Sequence, residues 1–188
     1  MAEIIIPESL YAFKSGRHKG EYVENFVFRN TDYLFHVRNR KHRDIDALDR
    51  HLDFIFEAGS KLPTKTICQY CQQKMVKYFL LNEDLLAPGL CCCDDLDCKA
   101  ELKRLHPEAR LMPFYLSSLG AFKKVVARKK AETFFKTIYG LPRTPTPEIV
   151  FSILREAMGE KKPMAIAPPL RLRGVLKQKI NEVQLALF

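Results

Sequence analysis

Two short stretches decide how this chain folds: "CQYC" at Cys68–Cys71 and "CCCDDLDC" at Cys91–Cys98. They hold all six cysteines. A C-x2-C pair on a tight turn lets both thiolates address one tetrahedral ion. In the second stretch Cys93 and Cys98 enclose four residues, and 21 residues separate Cys71 from Cys93. That spacing approximates a four-cysteine zinc ribbon. Cys68, Cys71 and Cys98 are the expected ligands of a Zn2+ ion, and spacing makes Cys93 the fourth. Cys91 and Cys92 stay open as alternatives, because in an extended segment Cys91 and Cys93 face one way and Cys92 the other. The competing reading, buried cysteines acting as plain hydrophobes, is disfavoured by two clusters at ligand spacing. A four-thiolate site is closed, so its ion would fold the segment and not catalyse.

Working outward from this zinc-ribbon-like segment at 61–105, the chain divides into three further parts. Residues 1–60 open with an apolar strand candidate ending near Phe13, then the turn "KSGRHKGE" and three helical patterns, "YVENFVFRN", "TDYLFHVRN" and "DALDRHLDFIFEAG". In the last, Leu48, Leu52, Ile55 and Phe56 recur at helical spacing, with Gly59 as the expected stop. Residues 106–159 read as helical, with "AFKKVVARKKAETFFKTIYG" closed by Gly140. A second helix has Thr146 as N-cap, Pro147 in its first turn and an apolar stripe of Ile149, Ile153, Leu154 and Ala157. Residues 160–188 carry a proline-bearing linker, "EKKPMAIAPPLRLRG", a short helical pattern "VLKQKINEV" and a terminal tail. The expected class is α+β: a small mixed N-terminal module, a zinc ribbon, and a basic, mostly helical second half with an extended tail.

Charge is unevenly placed. Of the net +9, residues 1–100 hold 14 Lys+Arg against 15 Asp+Glu, and residues 101–188 hold 17 against 7. All the net positive charge therefore sits in the second half, which suggests a polyanionic partner such as nucleic acid, DNA ahead of RNA. A solvated helical face is the plainer alternative. The best phosphate-contact set is Lys123, Lys124, Arg128, Lys129, Lys130 and Lys136, with Arg143 nearby. In a regular helix Lys123 does not share a face with all the others. Hydrophobic residues make up 47% of the 188, ordinary for a globular protein. No apolar run reaches transmembrane length, and the start lacks the form of a signal peptide. A cytoplasmic location without membrane partners is expected, which also favours metal ligation over disulfides.

Near the start, Gly16 and Gly20 bracket Arg17, His18 and Lys19, a turn on which Arg17 and Lys19 can meet phosphate. The pattern F-x-x-G-R-H-K-G-E-x-V-E at Phe13–Glu24, followed by "TDYLFHV", resembles the small module at the C-terminal end of exodeoxyribonuclease X-like proteins. Gly16, Lys19, Gly20, Val23, Asp32, Tyr33 and Leu34 match that module in order. Lys14 and Ser15 intervene before Gly16, and "NTDYL" lacks the family's proline. The resemblance, over roughly residues 11–57, implies an accessory nucleic-acid-associated module. It brings no nuclease domain.

The chain ends on "QLALF", Gln184–Phe188. It resembles the peptide, usually Q-L-(S/D)-L-F, by which bacterial and phage proteins bind the β sliding clamp. Gln184, Leu185, Leu187 and Phe188 match, and Ala186 replaces the commoner Ser or Asp. The resemblance implies that the glutamine sets register while the apolar side chains fill two subsites, a short linear anchor. Folding back onto the core is the alternative.

An active site is not expected. Asp44, Asp46, Asp49 and Asp53 cluster in sequence, but Arg43, Arg50 and His51 interleave with them as on a salt-bridged solvent face. Phosphate-loop and nucleophile-elbow motifs are absent from the sequence. The leading expectation is a non-enzymatic nucleic-acid-binding accessory factor tethered to the clamp, serving replication, repair or clamp-linked transcription. Two others stay open: a zinc-stabilised subunit of a larger nucleoprotein complex, such as a CRISPR-type effector, and a small metal-dependent nuclease using the aspartate cluster.

Overall fold

The computed structural model describes residues 4–39, 45–81 and 90–160, without the side chains of Ile45 and Asp46. The linker after Glu160, the "VLKQKINEV" segment, Gln184–Phe188, Arg43 and Asp44 lie outside the described residues.

The N-terminal strand expected up to Phe13 is reduced to a single bridge between Ala12 and Tyr22. The Phe13 N–H donates to Glu21 O at 3.0 Å and the Val23 N–H to Tyr11 O at 2.9 Å. The pairing goes no further because the returning chain turns at once into a 3-10 segment, Val23–Phe26. Gly16 (φ +80°) and Gly20 (φ +86°) make the turn, in a backbone region that glycine enters without steric penalty.

Helix α1 spans Thr31–Arg38 and α2 spans Ile45–Lys61. On α2, Leu52, Phe54, Ile55, Phe56 and Ala58 are buried, a wider apolar face than the stripe read from spacing. Gly59 does not stop the helix. It lies inside α2, where a Cβ would come within 2.6 Å of Leu116 Cβ. The glycine lets the helix meet the second 3-10 segment, Leu116–Ala121. The stop comes at Leu62–Pro63, since a residue before proline is disfavoured in the α conformation.

Strands β1 (Tyr78–Leu81), β2 (Cys91–Cys92) and β3 (Arg110–Pro113) form an antiparallel sheet in the order β2-β1-β3. Tyr78 pairs with Cys92 on one side and Pro113 on the other, and Phe79 with Cys91 and Met112. Helix α3, Leu96–Leu105, lies between β2 and β3 in sequence. The third strand falls in a region read as helical. As an edge strand it tolerates Pro113, which has no N–H to donate.

Helices α4 (Val125–Ile138) and α5 (Pro147–Ala157) follow. Gly140 (φ +69°) ends α4, with its own N–H on Thr137 O and that of Leu141 on Lys136 O. Gly159 (φ +94°) ends α5 the same way, with Glu160 N–H on Arg155 O. Both are helix ends with a left-handed glycine that satisfies the last carbonyls. Thr146 stands at the N-cap of α5, but its side chain makes no cap bond among the described residues. The α5 face that is buried is Val150, Phe151 and Leu154; Ile149, Ile153 and Ala157 are only half-buried, so the helix is rotated from the expected stripe.

Buried side chains from Phe13 to Leu154 form one apolar cluster. The sheet joins α4 through aromatic rings: Phe79 sits 5.0 Å from Phe114 and 5.3 Å from Phe135. The buried Tyr139 hydroxyl donates to Phe114 O at 2.6 Å. The fold is α+β, helices around a small three-stranded sheet.

Candidate metal centre and nucleic-acid interface

The four expected cysteines converge. One sulfur from each of Cys68, Cys71, Cys93 and Cys98 lies within 4.8 Å of every other, and Cys71 Sγ is 3.7 Å from Cys93 Sγ. Thiolates about 2.3 Å from a tetrahedral ion stand about 3.8 Å apart, so the donor set fits such an ion. Spacing favoured Cys93 as fourth ligand, and it is the one that joins the group. Cys91 and Cys92 are held in β2 by pairing with Phe79 and Tyr78, buried outside the cluster.

Local structure presents the sulfurs. Around Cys68–Cys71, the Cys68 N–H donates to Lys74 O at 2.8 Å and the Gln72 N–H to Cys68 O at 2.9 Å. Gln72 takes φ +55°, a left-handed conformation that closes the knuckle. Backbone N–H groups of Lys74 and Gln73 bond the Cys71 sulfur and bring its thiol down to about 6. The second pair is built differently from a ribbon's second knuckle. Cys93 immediately follows β2, while Cys98 sits in the first turn of α3, whose N-cap Asp95 accepts from Asp97 N–H at 3.0 Å. The site is thus a knuckle, a hairpin and a helix start. Two surface ion pairs tie the halves: Lys74 Nζ to Asp95 Oδ2 at 3.1 Å and Lys77 Nζ to Asp94 Oδ2 at 2.6 Å.

Burial raises the Cys93 and Cys98 thiols above their ordinary value. Cys91 and Cys92 are pushed up to about 12, first by burial, which keeps both as neutral thiols. A coordinated cation acts in the opposite sense on its own ligands, deprotonating them.

The basic residues fall into two groups. Lys129 and Lys130 are exposed on α4, as is Arg143 beyond it; Lys123 and Lys124 precede the helix, exposed. Arg128 is only 12% exposed, ion-paired with Asp32 and donating to Phe122 O. Lys136 Nζ donates to Arg143 O at 2.8 Å. These two serve the fold first. At the N-terminal turn Arg17 and Lys19 are exposed, and between them His18 is the anchor. Its ring lies edge-on to Phe26 at 4.7 Å and Tyr33 at 4.6 Å, and its Nδ1 meets Glu21 Oε1 at 2.8 Å.

Of the aspartate cluster, Asp49 and Asp53 have described side chains, and they do not join a metal-competent group among the described residues. Asp53 on α2 is bound by Arg38 at 2.8 Å. Among the described residues, the metal-competent group is the four cysteines. His51, read as part of a solvent face, is instead buried, with Nε2 2.6 Å from Glu24 Oε1 and only 3% and 0% of the two side chains exposed. The reason is geometric: three and four residues ahead of Phe54 and Ile55, it shares their face. The signal for Glu24 was its place among Val23, Phe26 and Val27. Glu24 Oε2 has no partner among the described residues.

No helix among the described residues is long and apolar enough to cross a membrane. Compared with protein-family models, with curated proteins and with solved structures, the chain finds no match in any of the three.

Proposed function

We propose that this chain is a non-enzymatic nucleic-acid-binding accessory factor, held at the bacterial or phage β sliding clamp by Gln184–Phe188. The observation that carries the reading is the terminal pentapeptide, in which Gln184, Leu185, Leu187 and Phe188 stand at the defining positions of the clamp-binding pattern. Twenty-eight residues follow Glu160, with Pro163, Pro168 and Pro169 among them. Such a composition suits a tether, which raises the local concentration of the factor at its partner.

The four-cysteine group takes Zn2+ in this reading. Zinc supplies folding free energy to a closed four-thiolate site, with no open position for substrate. The net positive charge of residues 101–188 and the exposed lysines of α4 support a nucleic-acid partner, DNA ahead of RNA. Contacts of that kind position a protein without reading sequence. The resemblance of residues 11–57 to the exodeoxyribonuclease X-like module points the same way.

The test is a calorimetric titration of sliding clamps from several bacterial hosts with the full chain and with a chain ending at Val183. Binding by the full chain alone is expected. Equal binding by both forms, or none by either, overturns the tether and moves the nucleoprotein-subunit reading to the front.

A further inference from the structure

The N-terminal basic turn and the basic helix α4 lie far apart in sequence, and each contacts the first turn of α1. Arg17 holds its guanidinium over the Tyr33 ring, 5.3 Å from the centroid. One residue earlier, Asp32 is ion-paired with Arg128 of α4. One residue earlier again, the Thr31 N–H donates to Glu132 Oε1 of α4 at 3.1 Å. Residues 31–33 thus have the glycine-bounded turn on one side and the first half of α4 on the other. Lys129, three positions before Glu132, lies about 60° round the helix from it, whereas Lys130 lies about 160° away.

We propose that the Arg17–Lys19 turn and the Lys129 side of α4 form one phosphate-binding surface, continuous across the first turn of α1, for the backbone of duplex DNA. The inference rests on the nucleic-acid reading above and gives it a site. A guanidinium stacked on an aromatic face keeps its N–H donors at the edge, directed outward. His18 packs edge-on against Phe26 and Tyr33, which ties the turn to α1, and Arg17 and Lys19 flank it, exposed. The acidic groups along the seam are already engaged, Asp32 by Arg128 and Glu21 by His18. No base-reading element is required, because phosphate contacts supply affinity that is independent of sequence and steep in salt.

The experiment measures affinity for a labelled duplex oligonucleotide across a salt series. It uses the full metal-loaded chain and three variants, Arg17→Ala/Lys19→Ala, Lys129→Ala and Lys130→Ala. Thermal midpoint and metal content confirm that each is folded. Each lost phosphate contact lowers the slope of log affinity against log salt by about 0.9. The double variant is expected to lower it by about two such contacts and Lys129→Ala by about one, with a smaller effect from Lys130→Ala. The charge-conserving Arg17→Lys/Lys129→Arg chain keeps most of the slope. If the turn variant binds as the parent does while the α4 variants weaken, α4 acts alone and the joined surface is wrong. An unchanged slope in all three variants also overturns it. Failure of the parent chain to bind duplex at all overturns the nucleic-acid reading itself, a separate result.

Discussion

Glu132 of α4 caps α1 from 101 residues away: its Oε1 accepts the Thr31 N–H at 3.1 Å in a buried setting. Asn30, at the N-cap position, makes no side-chain cap bond among the described residues, so the carboxylate takes that role. It also places a negative charge at the positive end of the helix. Replacing Glu132 with Ala leaves a buried N–H without its acceptor, at a cost of about 1–3 kcal/mol. Glu132→Gln keeps an acceptor oxygen and should lose less. Urea unfolding of the three chains checks the order; equal loss in both variants would show that the bond contributes nothing.

Gly59 permits a backbone approach that no other residue allows. A Cβ there would sit 2.6 Å from Leu116 Cβ, so Gly59→Ala should destabilise by about 1–3 kcal/mol through overpacking. The clash is with Cβ, so shortening Leu116 to Ala cannot relieve it. The double variant is predicted to be no more stable than Gly59→Ala alone, by thermal midpoint. Recovery in the double variant would place the strain further out on the leucine side chain.

Metal analysis separates the ligands from their neighbours. Purified chain should carry one metal ion, expected to be zinc by mass spectrometry. Cys68→Ser, Cys71→Ser, Cys93→Ser or Cys98→Ser should each abolish it, while Cys91→Ser and Cys92→Ala retain it. Chelation should lower the thermal midpoint of the parent and leave the Cys98→Ser chain unchanged, because metal-binding energy is folding energy in such sites. Retention of metal by Cys93→Ser would hand the fourth position to another residue.

The Glu24–His51 pair is buried among rings, with Phe151 stacked 6.1 Å from His51 and Tyr11 5.6 Å away. Removing His51 leaves the buried Glu24 Oε1 without its partner, so His51→Ala should cost about 1–3 kcal/mol from that loss. Glu24→Met combined with His51→Leu removes both polar groups and should lose less than His51→Ala does. A double-mutant cycle by denaturant unfolding reads the coupling, and simple additivity would dismiss it.

The knuckle and the end of α4 were readable from residue order alone. Cys68, Cys71 and Cys98 declared themselves by spacing, which also favoured Cys93 over Cys91 and Cys92, and Gly140 closes α4 as its place after the last apolar residue implied. Each depends on contacts within a few residues, where sequence distance and spatial distance agree. Gly59 and His51 were read against their true roles because their partners, Leu116 and Glu24, lie 57 and 27 positions away. β3 was hidden in a helical stretch because four residues become a strand only when β1 offers them an edge. Arg128 looked like a phosphate contact until Asp32 claimed it. The sequence by itself determined three of the four clustered cysteines with the fourth favoured by spacing, the glycine end of α4 and the charge of each half, all matters of local pattern. Only the tertiary structure decided which charges are spent inside the fold, as Arg128 on Asp32, and which distant segments pack against the first turn of α1. That depends on packing between elements whose mutual placement is set by burying their apolar faces together.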